Sequence, residues 1–177
     1  MKSLVRGLLV GALLFALSGL VSGATMKVEE MPEGASIRLV MPVEFIKSPV
    51  EKNQNGAYVY SFYDRTSKIR IFIMKFPFTD IEIMRYGSGT YPLDGFSNSE
   101  KEKFLDLKSK FLKEGEFLKL PSDHWVIAGD VSRNQYSGKA LLIMTGGFDI
   151  RIMVEKSGGL NPEEAKLAEK ILKSLEF

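Results

Sequence analysis

The chain has 177 residues, with 24 Lys and Arg against 22 Asp and Glu, one histidine and no cysteine. The lack of cysteine excludes disulfide staples, thiol nucleophiles, thiolate metal sites and a lipidated-cysteine anchor. The basic surplus comes from Lys2 and Arg6; beyond residue 24 the chain carries 22 side chains of each sign, so it lacks the basic footprint that nucleic-acid binding demands.

Lys2 and Arg6 precede an apolar run, Gly7–Val21, which closes on Ser22-Gly23-Ala24. Positive charge, apolar stretch and small residues in that order form the secretory pattern. The run falls short of the roughly 20 residues that span a bilayer, and no basic stop-transfer cluster follows. The sequence therefore predicts a cleaved leader over 1–24 and one globular domain over 25–177, large enough to hold a core without disulfides. The expected location is the periplasm of a bacterium or the medium outside it, with membrane contact only through an uncleaved leader.

Thr25–Glu33 reads as a polar lead-in. Ser36–Met41 alternates and predicts a strand ended by Pro42. Asn55-Gly56 is a turn signal, followed by an aromatic strand over Ala57–Asp64 with Tyr58, Tyr60 and Phe62 on one face and Tyr63 on the other. Lys68–Phe76 is apolar on both faces, so both faces of the sheet are expected to be covered. Pro77–Asn98 is a long connection with a possible short element at Asp80–Tyr86. Ser99, with Glu102 three positions on, predicts a helix N-cap; Phe104, Leu105, Leu107, Phe111 and Leu112 form its stripe and Gly115 its stop. Glu116–Leu120 and Trp125–Asp130 read as strands. Lys139–Thr145 and Phe148–Glu155 form a hairpin about Gly146-Gly147. Asn161, Pro162 and Glu163-Glu164 start a closing helix. The order predicts an α+β fold: a mainly antiparallel sheet packed with two helices in an α/β/α sandwich.

Three stretches together resemble a known family. They are Gly34–Leu39 running into Pro42-Val43-Glu44-Phe45, the aromatic strand Tyr58–Tyr63 beside its Ile-rich neighbour, and the closing Ile171–Phe177. The chain is similar to PsbP-like proteins, which include an extrinsic photosystem II subunit, a Ran-binding nuclear import factor and small bacterial periplasmic proteins of the DcrB type. The resemblance implies an antiparallel sheet between helices and a binding or assembly role rather than catalysis. It assigns no catalytic residue. The DcrB-type proteins are typically lipoproteins, and the missing cysteine departs from them.

Few residues offer catalytic chemistry. His124 stands in Asp123-His124-Trp125 with no nucleophile elbow anywhere, and reads as a polar residue at a strand entrance. Calcium loops are absent. Gly87-Ser88-Gly89 and Gly146-Gly147 lack phosphate-loop spacing. Asp64, Asp80, Glu82 and Asp94 read as turn formers or solvated charges. An envelope hydrolase gathering Asp80, Glu82 and Asp94 is the competing expectation. The favoured one is a non-enzymatic envelope protein, a monomer or weak dimer without a cofactor or metal. It binds a protein or small ligand through Tyr86, Tyr91 and Phe96 of the long connection and Tyr63 of the adjoining sheet face. Tyrosine suits that role, with a rigid apolar body and a polar tip. Balanced charge predicts little steering and weak salt dependence.

Overall fold

A computed structural model describes residues 24–86 and 91–177. The expected leader, Ala24 apart, and the Gly87-Ser88-Gly89 stretch lie outside the described residues. In chain order the elements are β1 (Met26–Met31), β2 (Ile37–Pro42), β3 (Ile46–Lys47), β4 (Glu51–Lys52), β5 (Tyr58–Tyr63), β6 (Arg70–Pro77) and α1 (Asp80–Tyr86). A 3-10 turn (Pro92–Gly95), α2 (Asn98–Lys108), β7 (Lys113–Lys119), β8 (Trp125–Arg133), β9 (Tyr136–Thr145), β10 (Phe148–Ser157) and α3 (Pro162–Lys173) follow. The main sheet runs β3-β5-β6-β10-β9-β8-β7, with β4 also on β5, and its pairings are antiparallel. The α+β, mainly antiparallel architecture expected from the sequence is the one adopted.

The Gly146-Gly147 hairpin joins Thr145 directly to Phe148 across a two-residue loop. Both glycines have positive φ, 55° and 79°, the geometry that matches strand twist and that side-chain-bearing residues resist. Asn161 caps α3, its side chain accepting from the Glu164 N–H while Glu164 returns the bond. Ala168, Ile171 and Leu172 are its buried stripe.

Four local expectations are corrected. Thr25–Glu33 is not a lead-in: it contains β1, which pairs with β2 in a separate two-stranded sheet. Three α-helices are present among the described residues rather than two, because Asp80–Tyr86 forms a full helix. The N-cap of α2 is Ser97, boxed with Glu100, two residues ahead of Ser99. That start lets the Phe96 ring meet Phe104 edge-on at 5.4 Å. Gly115 stops no helix; α2 ends at Lys108, and Gly115 sits at a register break within β7.

The sheet separates two apolar clusters. On one face, Ile71, Ile73, Ile143, Ile150, Ile152 and Val154 pack under the β1–β2 hairpin and α3. The last residues seal this side: Glu176 exchanges two backbone hydrogen bonds with Arg38, 2.9 and 3.0 Å. On the other face, Ile127, Leu142, Met144 and Met153 pack under Leu93 of the 3-10 turn and Phe104 of α2.

A charge is buried on the α3 side. Lys75 is 0% exposed, and its ammonium donates to the carbonyls of Met31, Glu33 and Ala35 at 2.5, 2.9 and 2.7 Å. It thereby holds the β1–β2 turn to the sheet. The Tyr60 hydroxyl donates to the Glu33 carboxylate beside it. Burial pulls the Lys75 amine down to about 8 against a partial lift from Glu33. Burial, then the bond to Glu33, pushes the Tyr60 phenol well up. The Tyr60 hydroxyl holds Glu33 below the usual carboxylate range.

Candidate functional site, a sheet-face cleft

On the face opposite α3, α2 packs against β7 and the 3-10 turn against β8 and β9. The side chains of β5 and β6 on that face, Val59, Ser61, Arg70, Phe72, Met74 and Phe76, stay half-buried, and Tyr63 is exposed. Both faces of β6 were expected to be covered. Arginines supply part of the cover: the Arg70 and Arg133 guanidiniums lie 4.9 and 5.3 Å from the Phe72 ring centre, and Arg151 lies 4.7 Å from that of Phe76. Long cationic side chains can blanket apolar surface while their heads stay wet.

At one end of this surface is a cleft of about 530 Å³ whose lining includes Tyr63, Lys68, Arg70, Phe72 and Tyr136. Arg70 of that lining is paired with Glu155 of β10, which is its cross-strand partner and, on the other side, that of Gly138. Glu155 is 0% exposed. Arg70 reaches Oε1 through Nε at 2.8 Å and Nη2 at 2.7 Å. Arg133, two strands away on β8, reaches Oε1 through Nη2 at 2.8 Å and Oε2 through Nε at 3.2 Å. At Gly138 the β9 backbone runs so close to β10 that a Cβ there would strike the Val154 carbonyl and the Glu155 backbone. The Arg70 guanidinium also lies 3.2 Å from the Tyr136 ring centre, a close cation–π stack. A buried carboxylate is costly unless fully paired; here it is paired, and it fixes two arginines in a wall of aromatic rings.

No protein-family model matches the chain, and no curated protein matches it. Among solved structures, it is similar to cyanobacterial PsbP (CyanoP) from Synechocystis, solved in solution, with a TM-score of 0.53 and 12% identity over 89% of this chain and 95% of that one. The fold is PsbP-like. A Bacteroides thetaiotaomicron crystal structure also aligns, with a TM-score of 0.40 and 14% identity over 79% of this chain and 44% of that one, and adds nothing to the assignment.

On this PsbP-like frame the aromatic residues singled out in the sequence fall in three places. Tyr86 and Phe96 interlock with each other at 5.8 Å and with Phe104, against the apolar cluster under α2. Tyr91 stacks on His124 at 3.4 Å between ring centres and meets Phe177 edge-on. Tyr63 stands apart from all three, in the lining of the cleft. Outward on α1 are Ile81 and Met84, both well exposed.

The carboxylates of the hydrolase reading are engaged separately. Asp80 lies in the first turn of α1. Glu82 accepts from the N–H and hydroxyl of Thr79. Asp94 ties the connection to β8: its Oδ2 is 2.8 Å from His124 Nδ1, and its Oδ1 accepts from the Trp125 N–H. Asp123, the sequence neighbour of His124, pairs instead with Lys119. Asp64 accepts from Thr66 and Ser67 in the β5–β6 turn. None of Asp80, Glu82 and Asp94 lines the cleft. Among the described residues no helix is long and apolar enough to cross a membrane.

Sequence reasoning missed Arg70, Arg133, Tyr136 and Glu155. One signal was present: Glu155 ends the alternating arm Phe148–Val154 on the face opposite Ile150 and Ile152. A carboxylate so placed on a central strand needs cationic partners from its neighbours.

Proposed function

We propose that this chain is an exported accessory protein of a bacterial envelope that acts by binding, with the sheet-face cleft as its docking site. The observation that carries the reading is the Arg70–Glu155–Arg133 lattice walled by Phe72, Tyr136 and Tyr63. Tyrosine and arginine are the residues that dominate binding energy at interfaces, above all when held rigid. Here the buried carboxylate and the ring stacks hold both guanidiniums before any ligand arrives, which lowers the ordering cost of association. The leader pattern of residues 1–24 supports export.

The test is site-specific photo-crosslinking in the native host, with benzoylphenylalanine in place of Tyr63 and, as control, in place of exposed Val28 on β1. The expected result is a discrete adduct from position 63 and none from position 28. Equal adduct patterns at both positions, or none at position 63, overturn the reading. N-terminal sequencing of the protein from the envelope fraction checks the export component, with a start near residue 25 expected.

A further inference from the structure

We infer that the cleft takes an oxyanion carried on an aromatic body. This rests on reading the cleft as the binding site and adds the chemistry of what enters it. The charged side chains lining the cleft are Lys68 and Arg70, both basic. The carboxylate paired with Arg70 leaves an incoming group little to be repelled by: Glu155 is fully buried, with four guanidinium nitrogens within 3.2 Å of its oxygens. A guanidinium carries five N–H donors in a planar fork, so each arginine retains donors beyond those facing Glu155. Asp64, at the nearby turn, is committed to the Thr66 and Ser67 amides and the Ser67 hydroxyl.

The walls supply the second half of the recognition. Phe72, Tyr136 and Tyr63 contribute aromatic surface to the lining, and the cleft, about 530 Å³, falls in the usual range for small-ligand sites. An oxyanion meeting guanidinium N–H groups makes charge-assisted bonds, stronger than neutral ones, while its ring packs against the walls. Because charge over residues 25–177 as a whole is balanced, this selectivity is a contact property and not long-range attraction.

Isothermal titration calorimetry of the intact protein tests this with 8-anilinonaphthalene-1-sulfonate and a naphthylmethylammonium salt as the cationic counterpart. The sulfonate is expected to bind, with Arg133→Gln, Lys68→Gln and Tyr63→Ala each weakening it about fivefold or more. Met84→Ala, on exposed α1, leaves the affinity unchanged. All four are solvent-accessible positions, and circular dichroism checks that each variant is folded. Competition with 1-naphthoate and with a capped Phe-Asp-Phe peptide distinguishes a free small anion from an acidic polypeptide segment as the source. If the cation binds as tightly as the sulfonate, or both charge variants bind it unchanged, the anion inference falls while the cleft remains a site. If neither probe binds, the cleft reading falls with it.

Discussion

Lys75 and Glu155 are both completely buried charges on adjacent strands of one sheet, yet they are satisfied in opposite ways. Lys75 spends its donors on three backbone carbonyls of the β1–β2 turn. Those acceptors are fixed by the fold, and the site is sealed by the hairpin. Glu155 is satisfied by two arginine side chains that are themselves partly exposed, 23% and 42%. The first arrangement is a rivet, with nothing left to offer a ligand. The second presents its partners outward, to whatever enters the cleft. Burial of a charge alone therefore does not mark a functional site; the exposure of the groups that neutralise it does.

The sharpest way to break this comparison is Lys75→Met, which keeps the volume and removes every donor. Stranded buried acceptors cost about 1–3 kcal/mol each, so a loss of about 3–5 kcal/mol is expected in urea denaturation. Glu155→Gln should cost less, about 1–2 kcal/mol, because both guanidiniums can swing toward water once released. If Glu155→Gln proves as damaging as Lys75→Met, the arginines are as locked as the carbonyls and the distinction between rivet and open lattice fails.

How far the sequence carries the argument follows the same division. Local signals were sufficient for the β9–β10 hairpin, where two glycines demand positive φ, and for α3, where Asn161, Pro162 and Glu164 each mark a helix start. They misplaced the start of α2, because Ser97 and Ser99 each have a glutamate three residues on, and only the packing of Phe96 on Phe104 and Tyr86 decides between them. They missed β1, whose alternation runs against the usual pattern: Val28 is exposed, while Lys27 and Glu29 form an ion pair on the face of buried Met31. The PsbP-like fold was legible as a pattern. The cleft was not: Arg70 and Glu155 lie 85 positions apart, joined by the β6–β10 pairing, which no local feature announces. Tyr63 was singled out as a binding ring on the sheet face without any sign of the arginines that give it company.

Titration sharpens the comparison next. Lys75 ionises at about 8 in the fold against an ordinary 10.5, so between those values the unfolded chain binds more protons and stability rises with pH. Tyr60 works the other way: its raised phenol keeps its proton in the fold while the unfolded chain loses one near 10, so stability falls beyond that point. Urea midpoints should climb from pH 8 toward 10 and then turn over. On the acid side Glu33, held low by the Tyr60 hydroxyl, contributes stability that is present above its ordinary value of 4.5 and is lost as pH falls through its folded value. A flat profile between pH 8 and 10 in the native chain contradicts the description of Lys75 as a desolvated ammonium.

The smallest effect on stability is expected at Tyr63, and that is its diagnostic value. It is 39% exposed at the end of β5, away from the interlocked rings of Tyr86, Phe96 and Phe104. Replacing it with alanine should move the urea midpoint by less than the equivalent of about 0.5 kcal/mol and leave the alkaline profile set by Lys75 and Tyr60 unchanged. Binding of the aromatic sulfonate should nonetheless weaken, since a ring at the cleft's edge acts only when something packs against it. Loss of stability without loss of binding would turn Tyr63 into one more packing residue. Loss of binding at constant stability separates an aromatic side chain kept for a ligand from those that build the fold.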